Sequence, residues 1–583
     1  MTPTPTRTPT RTEPAVVNIA AALSAEAKAR PDALAVACPA WRIPFGRTRY
    51  VRRTFGELNR WSDVLARGLS AVGIGRGVRT ALMVKPGLEF FGLTFALFKA
   101  GAVPVLIDPG MGVRNLGRCL AEAAPTAFIG VPRAQTARAL LGWARPTLRI
   151  SVTVANGSRW GSAAGPTSRP VGGKLLKRTL GDLELAGASH DPFPITPTVA
   201  NETAAILFTS GSTGPPKGAV YTHGIFASQV AMLRDLYQIV PGEVDLCTFP
   251  LFALFAPALG MTSIVPRMDA SRPARADPRK IIGAIREFGA TNLFGSPALL
   301  KRVGEYGADR NVTLPSLKRV VSAGAPVPAR VLERIATMLA PGVQIFTPYG
   351  ATESLPIASI GSAEILGETR QETDRGAGVC VGRAAAGMRI EVIGISDEPI
   401  TDWSDDLRSA VGAVGEIVVH GPVVTQEYFG RPEATRAAKI RAPEGCSPPL
   451  MHRMGDLGSL DEKGRLWFHG RKAHRVITGE ETLFTIPCEA VFNTHPEVAR
   501  TALVGIGPAG SARPVLCVEP RGWLLSNARR ARMIRELKAL GAEFRHTRTI
   551  QTFVFRRAFP VDSRHNAKIF REKLADWAAR RVR

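Results

Sequence analysis

The stretch FTSGSTGPPKG, residues 208–218, decides how the rest of the chain is read. It begins at the end of a short apolar run, AAILF at 204–208, that suits a buried strand. A strand opening into glycines, hydroxyls and one lysine is phosphate-gripping chemistry. Glycine lets backbone N–H groups approach an anion, Thr209, Ser210, Ser212 and Thr213 can donate, and Lys217 supplies a point charge. A Walker loop is excluded, because it needs Ser or Thr directly after its lysine and Lys217 stands between Pro216 and Gly218. Gly/Ser stretches are by default linkers, but the order TSGSTGPPKG is far more specific than its composition.

Upstream of that loop, Thr54 and Glu57 have capping-box spacing, and Leu58, Trp61, Leu65, Leu69 and Val72 recur at helical intervals as far as Gly73. A strand-like run at 80–84, a helix around 89–100 and a second strand-like run at 103–108 make a βαβ unit, hence an α/β fold with a largely parallel sheet. Residues 158–190, rich in Gly, Ser, Pro and basic residues, read as a connecting loop. A chain of 583 residues requires at least two domains.

Composition narrows the class. Hydrophobic residues make up 45%, enough for ordinary cores. The longest apolar candidate, 90–107, is broken by Lys99, Gly101 and Pro104, so no membrane span is expected. Residues 1–16 are a Thr/Pro/Arg tail without a signal-type apolar run, which points to a cytoplasmic enzyme. Seven scattered cysteines with no CxxC pair read as buried thiols rather than disulfides or a zinc site. The net charge is +26, and residues 521–583 hold 17 Lys and Arg against 5 Asp and Glu, which would suit an acidic partner. No zinc-finger, basic-zipper or RNA-recognition signature accompanies that charge, so nucleic acid is not expected.

The loop is followed, in order, by SAGAP at 322–326, YGATE at 349–353, MGD at 454–456, GR at 470–471 and FPVDSRHNAK at 559–568. Together these resemble the acyl-adenylate-forming (AMP-binding) superfamily, which includes acyl-CoA synthetases, luciferases and adenylation domains of peptide synthetases. The resemblance runs from about residue 17 to the C-terminus. It implies a large N-terminal AMP-binding domain with mixed and parallel sheets, residues 17–471, and a small mobile α+β lid, residues 472–583. It also implies roles. Thr209, Ser210, Gly211, Ser212, Thr213, Gly214 and Lys217 would hold the ATP phosphates, and Ala323, Gly324 and Ala325 with Tyr349 and Gly350 would line the nucleotide. Thr352 would contact phosphate, Glu353 would bind Mg²⁺, Asp456 would accept the ribose hydroxyls, Arg471 would lie near ribose or phosphate, and Lys568 would stabilise the adenylation transition state.

Departures from a standard acyl-CoA synthetase bear on the second half-reaction. Ala253 follows PLF (250–252) where relatives carry His or an aromatic gate, which would leave room in the acyl pocket. In GRKAHRVITGEETLFTIPCEA (470–490), Ala473 stands at the usual Asp or Lys hinge position and the turn is lengthened by residues 480–483, both counting against coenzyme A. The segments TFPLFALFAPALG (248–260), TPYGATESLPIASI (347–360), TALVGIG (501–507), PVLCVE (514–519) and FPVDSRHNAKI (559–569) closely resemble the olefin β-lactone synthetases of bacterial long-chain olefin biosynthesis. That resemblance implies adenylation of a 2-alkyl-3-hydroxy fatty acid and attack by its own 3-hydroxyl, giving a β-lactone, AMP and diphosphate. It would also make a thiolase, a reductase or a lactone decarboxylase a possible partner. Phe226, Phe252, Phe255 and Phe294 would wall a two-tailed pocket, and His223 and His565 are the imidazoles available as a base. The alternatives are a long-chain fatty acyl-CoA ligase and a non-catalytic scaffold.

Overall fold

The capping box at Thr54 forms in both directions: Glu57 N–H donates to Thr54 Oγ1 at 3.2 Å, and Thr54 N–H donates to the Glu57 carboxylate at 3.0 Å. It starts the helix Phe55–Ala71, which buries Leu58, Leu65 and Leu69. The strands Arg79–Met83 and Val103–Leu106 pair in parallel across the helix Leu88–Lys99, completing the βαβ unit. The computed structural model describes residues 16–40, 48–155, 175–209, 215–522, 526–561 and 569–582.

That unit lies in a sheet whose order is Leu176–Thr179, Ile150–Thr153, Ala127–Gly130, Arg79–Met83, Val103–Leu106, Thr203–Phe208 and Gly218–Thr222. All its pairings are parallel except the last, where the chain reverses across the phosphate-loop segment. A larger sheet has a parallel middle, with Thr262–Ile264, Val244–Cys247, Asn292–Phe294, Arg319–Val321 and Gln344–Ala351 side by side. It continues as antiparallel strands that include Ser354–Gly361, Leu450–Leu460 and Leu466–Arg471. Beyond Arg471, Val498–Ile506, Arg513–Pro520 and Thr552–Phe555 form a separate three-stranded sheet. Its core joins Leu503, Leu516 and Val518 to Phe492 of the helix Thr485–Asn493 and to Met533 and Leu537 of the helix Asn527–Ala542.

Two expectations are corrected. Val16, the last residue of the assigned tail, is held in the fold: it bridges Val199, and Val17 N–H donates to Thr198 O at 2.8 Å; residues 1–15 lie outside the described residues. The second half of 158–190 is not a loop: Leu176–Thr179 is an edge strand, and Thr179 and Asp182 form another capping box that starts the helix Leu180–Ala186. Residues 156–174 lie outside the described residues. The seven cysteines are all free, and six are buried. Among the described residues no helix is long and apolar enough to cross a membrane.

Candidate active site

Four of the segments singled out above, and Gly295 after the wall residue Phe294, stand at the carboxyl ends of parallel strands, where open α/β sheets place their ligands. Thr209 follows Thr203–Phe208, Thr248 follows Val244–Cys247, Gly295 follows Asn292–Phe294, Ser322 follows Arg319–Val321, and Tyr349 and Gly350 close Gln344–Ala351. Thr209 N–H donates to Lys217 O at 2.9 Å, which joins the two ends of the segment 209–217. Ser210, Gly211, Ser212, Thr213, Gly214 and Lys568 lie outside the described residues, as does His565.

Two side-chain chains run across the site. In the first, Lys217 Nζ lies 4.8 Å from the centre of the Tyr428 ring, and the Tyr428 hydroxyl donates at 2.7 Å to Glu353 Oε1. Thr352 and Glu353 sit in the turn between Gln344–Ala351 and Ser354–Gly361. The backbone there is pinned twice: the Tyr221 hydroxyl donates to Thr352 O at 2.6 Å, and Thr425 N–H donates to Glu353 O at 2.9 Å. In the second, the Tyr349 hydroxyl donates to Asp456 Oδ2 at 2.7 Å, and Arg471 Nε lies 3.1 Å from Asp456 Oδ1. Asp456 and Arg471 face each other across the antiparallel pair Leu450–Leu460 and Leu466–Arg471, so register alone brings them together. Burial holds the Tyr349 and Tyr428 phenols well above their ordinary value, with the Asp456 and Glu353 carboxylates adding to the effect, so both rings act as neutral donors. The Asp456 carboxylate in turn raises Arg471.

Gly324 takes a φ of +100°, a left-handed bend that glycine accommodates after the strand Arg319–Val321. A Cβ on Gly350 would meet Ser354 O at 2.6 Å, so the tight hairpin requires glycine there. Lys439 was not foreseen. It is buried, donates to Thr425 O, and is pushed down to about 7 by burial, with the nearby Glu353 charge opposing the shift. Tyr221, buried in the strand Gly218–Thr222, and Tyr428 were missed as well, since a single aromatic does not announce its distant partner in the sequence.

An apolar cavity opens beside these groups. Ala323 and Pro348 border it at the nucleotide motifs, and Phe252, Phe255, Phe294, Leu259 and Met261 form much of its wall. Phe252 stacks on Phe294 with ring centres 4.5 Å apart. Phe226 stands behind the wall, 6.4 Å from Phe255. Ala253 itself does not line the cavity: it is packed in the core with Ala256 and Met261, and the neighbouring Phe252 and Phe255 form the wall there. His223 is not placed as a base. It is 1% exposed, its Nδ1 accepts from Ile19 N–H at 3.3 Å, and burial lowers it to about 4.

The residues fit a nucleotide and a hard cation. Asp456 is a carboxylate oriented by two partners, and Glu353 offers a second carboxylate of which one oxygen is held by Tyr428.

This fold and site define an AMP-binding enzyme. The family model described as AMP-binding enzyme matches residues 23–429, and the chain belongs to that family. Within it, the chain is 50% identical over 566 residues to the Olefin beta-lactone synthetase of Xanthomonas campestris pv. campestris, covering 96% of this chain and 97% of that protein. It is 28% identical over 458 residues to a Feruloyl-CoA synthase of an Amycolatopsis species, covering 78% of this chain and 80% of that protein. Its fold is that of the ATP-bound crystal structure of MatB from Rhodopseudomonas palustris, with a TM-score of 0.74 at 21% identity, covering 97% of this chain and all of that one.

Proposed function

We propose that the protein uses ATP to activate a 2-alkyl-3-hydroxy fatty acid and closes it to a β-lactone, releasing diphosphate and AMP. The observation that carries this is the likeness to a β-lactone synthetase along nearly the whole chain, at 50% identity against 28% for the thioester-forming relative. The apolar cavity walled by Phe252, Phe255 and Phe294, next to Ala323 and Pro348, supports an acid with hydrocarbon tails.

A substrate carboxylate oxygen attacks the α-phosphorus of ATP, the bond to the β-phosphate breaks, and diphosphate leaves. The 3-hydroxyl oxygen then attacks the carboxyl carbon, the C–O bond to phosphate breaks, AMP leaves, and the hydroxyl proton passes to solvent. Holding both groups on one molecule supplies the proximity that an external thiol would have to gain by binding. Tyr349 and Arg471 orient Asp456 toward the ribose, and Tyr428 orients Glu353. Magnesium held by Glu353 would spread the charge of the triphosphate. Lys217 and the loop 209–214 grip phosphate, and Lys568 meets the charge that develops between carboxylate and α-phosphate.

The hinge lies after Arg471, where Lys472 Nζ donates to Ser396 O at 2.7 Å and pairs with the buried Glu416 at 3.0 Å. The lengthened turn is a closed hairpin between Val476–Ile477 and Thr482–Leu483, with Thr478 Oγ1 accepting from Glu480 N–H and Glu481 N–H. By the resemblance to thioester-forming enzymes, this turn would line the path of pantetheine, and its closure is read as counting against coenzyme A. A cytoplasmic location, and association of the basic C-terminal region with an acidic enzyme of the same pathway, belong to this proposal.

The test is mass spectrometry of products from ATP, Mg²⁺ and a 2-alkyl-3-hydroxy fatty acid, with and without coenzyme A. A product equal to the acid minus one water, shown by NMR to be a lactone and formed without coenzyme A, is expected. A thioester formed only when coenzyme A is added would overturn the reading in favour of an acyl-CoA ligase.

A further inference from the structure

The wall of the acyl cavity is apolar until its far end. There, Asp245 and Asn292 face each other on the neighbouring parallel strands Val244–Cys247 and Asn292–Phe294, and both line the cavity. Strand alternation puts Phe294 on the same face as Asn292, so the polar pair sits roughly 7 Å below the aromatic wall. Both side chains are more than nine-tenths buried, with Asp245 at 5% and Asn292 at 7% exposure.

The pair is incompletely satisfied. Asn292 Nδ2 donates to Asp245 Oδ1, but Asn292 Oδ1 is buried and accepts no hydrogen bond among the described residues. Nearby, the Cys247 thiol lies against the Asp245 carboxyl and donates to Phe249 O at 3.1 Å, Arg319 is forked onto Glu243 at 2.6 and 2.9 Å, and the Tyr237 hydroxyl lies 3.4 Å from Ser359 Oγ, so none of them reaches Asn292 Oδ1. Burial raises the Asp245 carboxyl to about 7, against the Asn292 bond and the Arg319 charge. An amide oxygen left without a donor in an apolar cavity is costly, and the end of an alkyl chain has no donor to offer it.

We propose that Asp245 and Asn292 form the floor of the acyl cavity, a subsite for a neutral hydroxyl that stops a methyl-ended tail above it. The hydroxyl is either an ordered water, which needs two or more polar partners, or a group carried on the substrate's own tail. Donating to Asn292 Oδ1 and sharing the Asp245 carboxyl satisfies the pair in either case. The assignment rests on the cavity being the acyl pocket, and it makes these two residues determinants of tail length.

The experiment measures ATP-dependent diphosphate release by the full-length enzyme for 2-alkyl-3-hydroxy acids whose tails grow two carbons at a time. Each acid is compared with its ω-hydroxylated counterpart. Wild type should show a sharp fall in kcat/KM at one tail length. Asn292→Leu and the double variant Asp245→Leu/Asn292→Leu should accept tails at least two carbons longer, with a gain of tenfold or more beyond the wild-type limit. An ω-hydroxy acid preferred at that limit by wild type, and no longer by the variants, identifies a tail hydroxyl as occupant. A length limit that moves in the variants without such a preference identifies water. Active variants with an unchanged length profile would overturn the floor.

Crystal structures of the wild-type protein, alone and with an acid at the length limit and its ω-hydroxylated counterpart, decide the matter even if the variants do not fold. An ordered oxygen within hydrogen-bond distance of Asn292 Oδ1, from water or from the tail hydroxyl, is expected, and a pair that is dry in all three would sink the proposal. Diphosphate release reports tail recognition whether or not a lactone follows, so a thioester product would leave this inference standing. No release with any acid would refute the adenylation reading alone.

Discussion

Asp456 accepts from the Tyr349 hydroxyl on one oxygen and is ion-paired with Arg471 through the other, so its carboxylate is oriented from two sides. A carboxylate held in this way can accept two vicinal ribose hydroxyls, whereas an amide in its place would offer one acceptor and turn a donor toward the second hydroxyl. Losing a charge-assisted hydrogen bond costs about 1.5–3 kcal/mol, so Asp456→Asn should weaken ATP binding roughly 10- to 100-fold. Lys568→Ala makes the complementary case, since in the proposed reaction its charge would act on the transition state: ATP affinity should stay within a few-fold while diphosphate release is lost. Calorimetric titration with ATP beside a diphosphate assay separates the two. Wild-type ATP affinity in Asp456→Asn, or near-normal release by Lys568→Ala, would remove the respective role.

The helix Phe55–Ala71 depends on more than its apolar stripe. Gly68 packs against the helix Leu180–Ala186, where a Cβ would meet Leu183 O at 2.1 Å, and a Cβ on the following Gly187 would meet Val64 O at 1.9 Å. Two backbones approach here with no side chain between them, a contact that alanine cannot enter without driving the helices apart. Gly68→Ala should therefore lose about 1–3 kcal/mol, read as a fall in the urea midpoint. Gly75→Ala, where a Cβ would meet nothing within 4 Å, should leave the midpoint unchanged. An equal midpoint for both variants would show that the helices adjust. The capping box at Thr54 could be read from sequence because a long amphipathic stripe followed it. The equivalent box at Thr179 could not, because its helix runs only from Leu180 to Ala186 and stands beside a basic Gly/Ser-rich stretch.

Across the whole molecule, His223 ties the N-terminal segment to the helix His223–Tyr237 through the Ile19 amide, and it is neutral in the fold down to pH about 4. In the unfolded chain it takes its proton near pH 6.5. The unfolded state binds more protons between these values, so stability should fall as pH drops from about 6.5 to about 4, by at most on the order of 3 kcal/mol from this residue. Asp245 acts with the opposite sign, because its folded carboxyl is raised. Comparison with His223→Asn, which keeps an acceptor for the Ile19 amide and removes the charge, isolates the histidine. The variant should lose less stability than wild type over that window, and parallel pH profiles would refute the assignment. The C-terminal charge is partly structural too: Arg529 and Arg532 share Glu497, Arg500 pairs with Glu519, and Arg571 with Glu489.

Local order was enough to read the family and the βαβ start, and to single out Lys217, Glu353, Asp456 and Arg471 as candidates, because a Gly/Ser loop, a turn and a strand pair each write their pattern into a few consecutive residues. Tertiary structure alone decided what surrounds them. Tyr428 reaches Glu353 from 75 residues away, Tyr349 reaches Asp456 across 107, Phe252 and Phe255 rather than Ala253 line the cavity, and Asp245 meets Asn292 in its lining. Such pairs are set by strand order and register, and a single sequence records neither, since the free energy that brings them together belongs to the packing of whole sheets rather than to any segment.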